Sequence, residues 1–363
     1  MTNRFTGMAA PAPRLVALEV NALSWLADAL GMPEGTRGVF TSGGSMANLG
    51  AIVCARHAVL GEDFAGGVIY AGDQAHQSVT KSARIAGFPQ ARVRMLPSDA
   101  AGRMSPSVLN AAVAEDAAAG LRPALVVASA GTVGTGAVDD LAGLRSVADD
   151  HGLWLHVDGA YGGFFGLTDR GRATLAGMET ADSLTLDPHK GLFLPYGTGC
   201  LLVADGRVLR DAHHEHGAYL PAAVEDSRLQ DFTLDTPELS RPYRGLPVWF
   251  SLKTFGMAAF REALDEKLDL ARHCWERLEA IPGLATTGEP DLSITGFRSK
   301  AGDAATDALL ERINAHRRIM VTPTTFQGHR VIRICVLSFR THLDRIDEGL
   351  ALIEREAATV SPD

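Results

Sequence analysis

The chain has 363 residues, 46% hydrophobic and 21% charged, which are ordinary proportions for a globular protein with one large and one smaller domain. A formal net charge of −9 without any basic run argues against nucleic-acid binding, which needs clustered lysine and arginine. No cleavable apolar leader is present, and no apolar segment reaches the roughly 18 residues of a membrane span. We therefore expect a cytoplasmic enzyme.

The possible metal ligands do not form a recognisable site. The run His-His-Glu-His at 213–216 contains zinc-binding side chains, but no second group of ligands with a matching spacing follows it. We expect no metal. Reduced core thiols are expected at the four scattered cysteines, which are Cys54, Cys200, Cys274 and Cys335.

Apolar residues recur at helical spacing over residues 14–31, which predicts an amphipathic helix that closes on Gly31. A short strand from Gly38, a glycine turn and a helix beginning near Ser45 follow. Up to about residue 160, further apolar strands begin near residues 68, 92, 123 and 153. They alternate with helices that begin near His76 and cover 105–119 and 141–151.

Apolar strands that alternate with helices are typical of a mostly parallel sheet with helices on both faces. The sequence therefore predicts an α/β fold. In such folds, ligands bind beyond the carboxyl ends of the strands. Those ends carry Ser45, His76, Thr132, Asp158 and Lys190, so we expect these side chains to form one site.

A single lysine, Lys190, follows a sharp Asp187-Pro188 break between the apolar segments 181–186 and 200–203. An ammonium held between buried strands loses its hydration, which favours the neutral amine. Because a neutral amine attacks aldehydes, the position is typical of the Schiff-base lysine of pyridoxal 5′-phosphate (PLP) enzymes. The alternative is an ordinary surface lysine at a turn.

Two other candidates match the charged parts of that cofactor. Asp158 lies at the end of a buried strand and needs a cationic partner, such as a protonated pyridine nitrogen. Gly44 and Ser45 lie at a helix N-terminus, where backbone N–H groups attract a phosphate. The alternative for this turn is an ordinary helix cap.

The remaining candidates would lie around the cofactor ring. His76 is expected either to cap its helix or to stack flat on the ring. Thr132, together with the hydroxyl of Thr185 or Ser183, is expected near the ring or phosphate substituents.

Residues 205–245 lose the alternating pattern and become polar, which is typical of a lid over an active site. A mostly helical stretch over 246–281 follows. Strands at 291–298 and 331–339 and helices at 304–317 and 343–357 then predict a small α+β domain.

The order of several motifs resembles the group II PLP-dependent decarboxylases, which act on aromatic amino acids, tyrosine, glutamate or diaminobutyrate. The motifs are Asp-Gln-Ala-His76, Gly131-Thr132, His-Val-Asp158-Gly-Ala-Tyr, Asp-Pro-His189-Lys190 and Arg-Gly-Leu-Pro-Val-Trp249. The match runs from about residue 5 to the C-terminus. The resemblance implies the type I, aspartate-aminotransferase-like fold, with a large PLP-binding domain at 1–250 and a small C-terminal domain at 251–363. Within the large domain, 205–245 would be a mobile catalytic loop.

The resemblance also implies a role for each candidate. Lys190 would bind PLP, Asp158 would pair with the pyridine nitrogen, and His76 would stack on the ring. Ala160 would pack beneath the ring and His189 would lie beside the Schiff base. Together with the phosphate and ring contacts above, the candidate cofactor-binding residues are Gly44, Ser45, His76, Thr132, Asp158, Ala160, His189 and Lys190.

Tyr219 falls where the family carries the tyrosine of its catalytic loop. In the family this tyrosine favours protonation of the substrate carbon after carbon dioxide leaves, whereas a phenylalanine there accompanies oxidative deamination to aldehydes. Tyr219 therefore predicts simple decarboxylation, with Lys190, His76, Tyr219 and Asp158 as the catalytic set. The resemblance further implies a homodimer with the active site at the interface.

Three features differ from the family pattern. The sequence begins after most of the family's N-terminal helical segment, Gly191 replaces the tryptophan of aromatic-acid members, and Val133 replaces a threonine. We expect decarboxylation of an L-amino acid, with an aromatic substrate slightly favoured over an acidic one that Arg241 or Arg244 would bind. The alternatives are an aldehyde synthase, a transaminase, or a catalytically silent interaction subunit.

Overall fold

The computed structural model describes residues 4–215 and 229–360. Its larger sheet has seven strands in the spatial order β1-β7-β6-β5-β4-β2-β3. Neighbours from β6 to β3 are parallel, and β7 is antiparallel to both β6 and β1. The strands are β1 (Arg37–Thr41), β2 (Gly67–Gly72), β3 (Val93–Leu96), β4 (Arg122–Ser129), β5 (Trp154–Gly159), β6 (Ser183–Leu186) and β7 (Gly199–Val203). The predicted α/β fold with a mostly parallel sheet is confirmed.

Helices cover this sheet because its central strands are buried along most of their length and have two faces to bury. They are α1 (Pro13–Ala29), α2 (Gly44–Ala55), α3 (Ser78–Ile85), α4 (Pro106–Ala118), α5 (Leu141–His151), α6 (Asp169–Thr174), α7 (Pro188–Gly191) and α8 (Gly206–Asp211). Local signals set the ends of α5, since Asp140 accepts a bond from the Gly143 N–H and Gly152 closes the helix in the left-handed region.

The C-terminal part forms a second, antiparallel sheet in the order β10-β11-β9-β8; α10 packs against this sheet, and α11 packs against α10. Its elements are β8 (Leu284–Thr286), β9 (Ile294–Ser299), α10 (Asp303–Ala315), β10 (Thr322–Phe326), β11 (His329–Cys335) and α11 (Leu343–Val360). The sequence analysis missed both edge strands. β8 has only three residues, and β10 contains a proline, which argues against a strand.

One helix, α9 (Gly245–Glu279), joins the two parts and kinks at Gly256, where φ is 76°. Phe260 and Leu264 belong to the core of the large sheet, whereas Leu270 and Cys274 belong to the core of the small one. α9 therefore contributes side chains to both cores, and the predicted boundary at 250 stays a prediction.

The predicted mobile loop over 205–245 includes residues at both of its ends that the structure holds in place. Residues 206–211 form α8, capped by Asp205. On the far side, Gln230 donates to the carbonyl of Gly38, and buried Asp231 accepts the Ala9 N–H at 2.7 Å. Tyr219 lies outside the described residues.

Two further expectations concern the whole chain. Cys54, Cys200 and Cys274 are buried as expected, but Cys335 is exposed. Within the described ranges, none of the helices is both long and apolar enough to cross a bilayer. A cytoplasmic location stays a prediction.

Candidate active site

A cavity of about 420 Å³ opens at the carboxyl ends of the central strands of the large sheet. β5 ends beside it with Asp158, and β6 leads directly into Asp187 and Lys190. The structure brings all eight described candidates together in its lining, namely Gly44, Ser45, His76, Thr132, Asp158, Ala160, His189 and Lys190. Their individual roles stay predictions.

The N-terminus of α2 forms one wall of the cavity. The first N–H groups of a helix have no acceptor within it, so Gly44 and Ser45 offer donors at the positive end of a twelve-residue helix. A side chain at position 44 would not fit, since its Cβ would lie 2.9 Å from Ala160 Cβ and 3.2 Å from Asp187 Oδ2. The wall is therefore shaped for an anionic group that approaches the backbone closely.

Lys190 lies in a short helical turn, α7, that follows β6. Its Nζ is 2.8 Å from Asp187 Oδ2, and its side chain is 34% exposed. Lys190 is therefore not the fully buried amine that the sequence predicted. Asp187 was missed as a functional residue, although its spacing of three residues from the lysine indicates a contact on one helical face.

Two buried polar atoms in the cavity wall have no hydrogen-bond partner among the described residues. They are Asp187 Oδ1 and His189 Nδ1. The His189 ring lies 4.9 Å from that of Tyr196, between centroids, and its Nε2 is 3.5 Å from Asp187 Oδ2. Because buried polar groups are nearly always paired in proteins, these two atoms are available to a bound ligand.

Asp158 and His76 are held by protein hydrogen bonds and line the same cavity. Asp158 accepts from the amide of Asn48 at 2.8 Å and from the Ala160 N–H at 3.1 Å. His76 lies two residues before α3, and its Nδ1 accepts the N–H of Ser78 at 3.1 Å. His76 therefore helps to begin the helix, as one prediction held, and its ring also lines the cavity.

The sequence predicted the hydroxyl of Thr132 and that of either Thr185 or Ser183 near the cofactor, and of these three residues only Thr132 lines the cavity. Its Oγ1 accepts the N–H of Ala137 at 3.1 Å, which shapes the loop after β4. The expectation for Ser183 and Thr185 is wrong. Both are fully buried within the sheet, where their hydroxyls contact His156 at 2.8 and 3.3 Å.

The two arginines considered for an acidic substrate are also engaged elsewhere. Arg241 is fully buried and pairs with Glu19 at 2.5 Å, and Arg244 pairs with Glu238 at 2.7 Å. Neither side chain lines the cavity. The segment that carries them anchors α1 instead.

The second sheet and its approach segment contribute to the cavity rim, which the sequence analysis did not predict. Tyr161, a cavity residue, shares a hydrogen bond of 2.5 Å with Ser293. Burial raises the pKa of the Tyr161 phenol well above its usual value, so it stays protonated. Arg333 in β11 donates to the carbonyl of Val133, which places a guanidinium at the rim.

No metal centre is found among residues 4–215 and 229–360, where no three His, Cys, Asp or Glu side chains are grouped to hold an ion. His213 instead contacts the carbonyl oxygen of Leu209 through Nδ1, at 2.9 Å. His216 lies outside the described residues.

Comparison with known proteins identifies relatives along the whole chain. Residues 2–300 match the family model described as the pyridoxal-dependent decarboxylase conserved domain. An aromatic-L-amino-acid decarboxylase from Bacillus atrophaeus is 37% identical over 361 residues, which cover 95% of this chain and 74% of the relative.

Solved structures of related proteins also superpose on this chain along most of its length. Oryza sativa TDC, crystallised with PLP and tryptamine, superposes with a TM-score of 0.93 at 29% identity, covering 98% of this chain and 79% of that one. Catharanthus roseus tryptophan decarboxylase, in complex with L-tryptophan, superposes with a TM-score of 0.91 at 26% identity, covering 99% and 79%.

The histidine behind the site should make the stability of the protein depend on pH. His156 is fully buried, and burial lowers its pKa from 6.5 to about 4, against the smaller opposing effect of Asp158. As the pH falls from 6.5 towards 4, the unfolded chain therefore binds a proton that the folded chain does not. The stability that neutral His156 contributes is complete above this range and is lost within it.

We expect the difference in unfolding free energy between wild type and His156→Gln to shrink as the pH falls, by at most about 1.4 kcal/mol per pH unit. Urea unfolding of both proteins at several pH values measures this difference. Subtracting the variant removes the contribution of Asp139, whose pKa is raised to about 6 by burial and which acts with the opposite sign. A difference that does not vary with pH would contradict the assignment.

Proposed function

Because this chain belongs to the pyridoxal-dependent decarboxylase family, we infer that it uses PLP to remove the carboxylate of an L-amino acid as carbon dioxide and to release the amine. The observation that carries this proposal is the convergence of Lys190, Asp158 and His76 on one cavity beside the N-terminus of α2. Each of these groups matches a different part of the cofactor.

The residues present fit PLP. The amine of Lys190 is exposed to the cavity and can bond the aldehyde carbon, while the carboxylate of Asp158 can pair with the pyridine nitrogen. The backbone N–H groups of Gly44 and Ser45 would hold the phosphate. The unpartnered Asp187 Oδ1 and His189 Nδ1 indicate a polar ligand in this position.

When bound, PLP supplies an electron sink for the electron pair left on the substrate carbon as carbon dioxide departs. The protein's part is to orient the reactants and to manage charge. Asp158 would keep a positive charge on the pyridine nitrogen. Asp187 would hold the amine of Lys190 at Oδ2 whenever the lysine is not bonded to the cofactor. His76 would cover one ring face and Ala160 the other, which limits the access of water.

An aromatic substrate is favoured over an acidic one. An acidic side chain would need a second cation, and Arg241 and Arg244 are bound to other carboxylates away from the cavity. The described cavity lining contains no arginine, and Arg333 at the rim donates to Thr322 Oγ1 and to the carbonyl of Val133. The relatives from Bacillus atrophaeus and Catharanthus roseus, named for aromatic amino acids or tryptophan, support the same preference.

The central test is a cofactor and substrate assay. Wild type loaded with PLP should gain a visible absorbance band, and borohydride should fix the cofactor to the peptide that contains Lys190. The Lys190→Ala variant should lose both, whereas the exposed Lys300→Ala should keep them. With L-tryptophan, L-tyrosine and L-glutamate offered separately, we expect carbon dioxide and amine in equal amounts from an aromatic acid.

Other products would point elsewhere. Ammonia and hydrogen peroxide would indicate an aldehyde synthase, and a keto acid would indicate a transaminase. Folded protein that takes up no PLP would overturn the proposal in favour of an interaction subunit.

Tyr219 is proposed as the residue that favours protonation of the substrate carbon, on the basis of the family resemblance. It lies outside the described residues. We expect Tyr219→Phe to divert part of the turnover from amine to aldehyde, with dioxygen as the oxidant and with ammonia and hydrogen peroxide as the other products, because the hydroxyl that favours protonation of the substrate carbon is gone. Product analysis by chromatography decides this, and Tyr243→Phe, whose hydroxyl bonds the carbonyl of Leu15, is the control. Unchanged amine formation without aldehyde would remove Tyr219 from the mechanism.

A homodimer with the active site at its interface is the second proposal from the resemblance. It is supported by large apolar side chains that are exposed in the described protein. Met46 and Val133 line the cavity and are 38% and 42% exposed, and Tyr196 beside His189 is 87% exposed. On α9, Leu246 and Phe250 share one helical face and are 40% and 61% exposed. Such a surface is typical of an interface between subunits.

Light scattering after size exclusion should therefore give twice the chain mass. Phe250→Asp should shift the protein towards monomer and reduce decarboxylation, because it places a charge in the interface. Met320→Asp, at a site that is 87% exposed in the small domain, should do neither. A wild-type monomer with full activity would refute the dimer.

A further inference from the structure

Asn48 lies in the first turns of α2 with 1% of its surface exposed, directly behind the cavity. Its amide nitrogen is 2.8 Å from Asp158 Oδ2 and 2.9 Å from Ser78 Oγ. Its amide oxygen is 3.0 Å from His156 Nε2. One side chain therefore contacts groups from β5 and from the segment that enters α3.

The orientation of this amide is fixed by its partners. An ionised carboxylate only accepts hydrogen bonds, so the nitrogen of Asn48 must be the atom that faces Asp158. The amide oxygen must then face His156, whose Nε2 has to carry a proton to donate to it. The other neutral tautomer would set two lone pairs against each other at this contact.

A chain of polar contacts leads from Asn48 into the core behind Asp158. Burial lowers the pKa of His156 to about 4, so the ring is neutral near pH 7 and its Nδ1 can accept. The hydroxyl of Ser183 lies 2.8 Å from this Nδ1 and in turn accepts the indole N–H of Trp154 at 2.8 Å. The carbonyl oxygen of Ser183 also lies 3.1 Å from this Nδ1, and the hydroxyl of Thr185 lies 3.3 Å from Nε2, so β6 contacts the buried ring at both nitrogens.

The second hydrogen of the Asn48 amide starts a shorter branch. It is donated to Ser78 Oγ, which leaves the Ser78 hydroxyl free to donate to His76 Nδ1 at 2.7 Å. The Ser78 N–H donates to the same nitrogen. His76 is thereby held with Nδ1 as acceptor and with the proton on Nε2.

We propose that Asn48 is a positioning residue that orients Asp158 directly and His76 through Ser78, and so sets the two side chains that would contact the cofactor's ring as one unit. The proposal rests on the proposed use of PLP. Asn48 itself does not need to touch the reacting atoms. It supplies the one group with two donors that both branches share, and its carbonyl ties the pair to the buried His156.

The test uses Asn48→Leu, which keeps the volume and removes both donors. We expect its affinity for PLP, titrated on the apoprotein by absorbance, to fall about tenfold or more, because a hydrogen bond to a charged group is lost. In the apoprotein labelled with ¹⁵N-histidine, the ring signals of His76 should lose the pattern of a single Nε2–H tautomer. Decarboxylation should fall with kcat as well as with cofactor affinity.

The matched control is Asn314→Leu. Asn314 also makes two amide hydrogen bonds, to the N–H and carbonyl of Val321 at 3.0 Å each, but it lies in α10. It should lose thermal stability while keeping wild-type PLP affinity and His76 signals. If Asn48→Leu also behaves in this way, its role is only structural and the proposal is overturned.

Two more variants separate the branches and protect against misfolding. Ser78→Ala should disturb the His76 signals but lower PLP affinity less than Asn48→Leu does, since Asp158 keeps its donor. Asn48→Asp keeps the size and the acceptor for His156 and should still lower PLP affinity, because an oxygen replaces the donor to Asp158. Wild-type affinity in Asn48→Asp would refute the proposal. Failure of wild type itself to bind PLP would refute the proposed function instead.

Discussion

The position of the candidate site depends on where the strands of the parallel sheet end. Parallel strands deliver their carboxyl ends to a single edge, and the chain places a polar or small residue at each of these ends. Asp158 is the next-to-last residue of β5, Asp187 follows β6, and Ser129 closes β4 beside the same cavity. Groups that are far apart in sequence are therefore brought together by backbone pairing alone. The side chains need only short local turns to complete the site.

Charge balance is the second constraint at this edge. Two carboxylates, Asp158 and Asp187, face a cavity in which burial makes an unpaired charge costly. Lys190 pairs with Asp187, while Asp158 accepts two protein hydrogen bonds and has no cationic partner in the contacts described here. A protonated pyridine nitrogen would balance the charge of Asp158, and the positive N-terminus of α2 would balance the charge of a phosphate. The protein thus offers the counter-charges of a zwitterionic ligand in separate places.

The sequence predicted most of what a ligand would touch and little of what holds those groups in place. Strand ends, glycine turns and a lone lysine give local signals, so Gly44, His76, Asp158 and Lys190 could be found. Asn48, Ser78 and His156 could not, because their hydrogen bonds join α2, the segment before α3 and β5, and only the three-dimensional packing sets those distances. The errors over Arg241, Ser183 and Thr185 have the same origin. A residue type near a motif does not indicate which side of a strand or helix it occupies.

The buried network behind Asp158 also requires an explanation beyond stability. A neutral histidine, a serine and an asparagine in the core each carry a desolvation cost, and apolar residues of similar size would pack there without it. Each of these side chains has a hydrogen-bond partner within the network, and the network ends at the Asp158 carboxylate. Its end at Asp158, where the amide of Asn48 donates to a carboxylate, is what an electrostatic support for a cofactor requires, because a fixed dipole acts strongly on a charge in a medium of low dielectric constant.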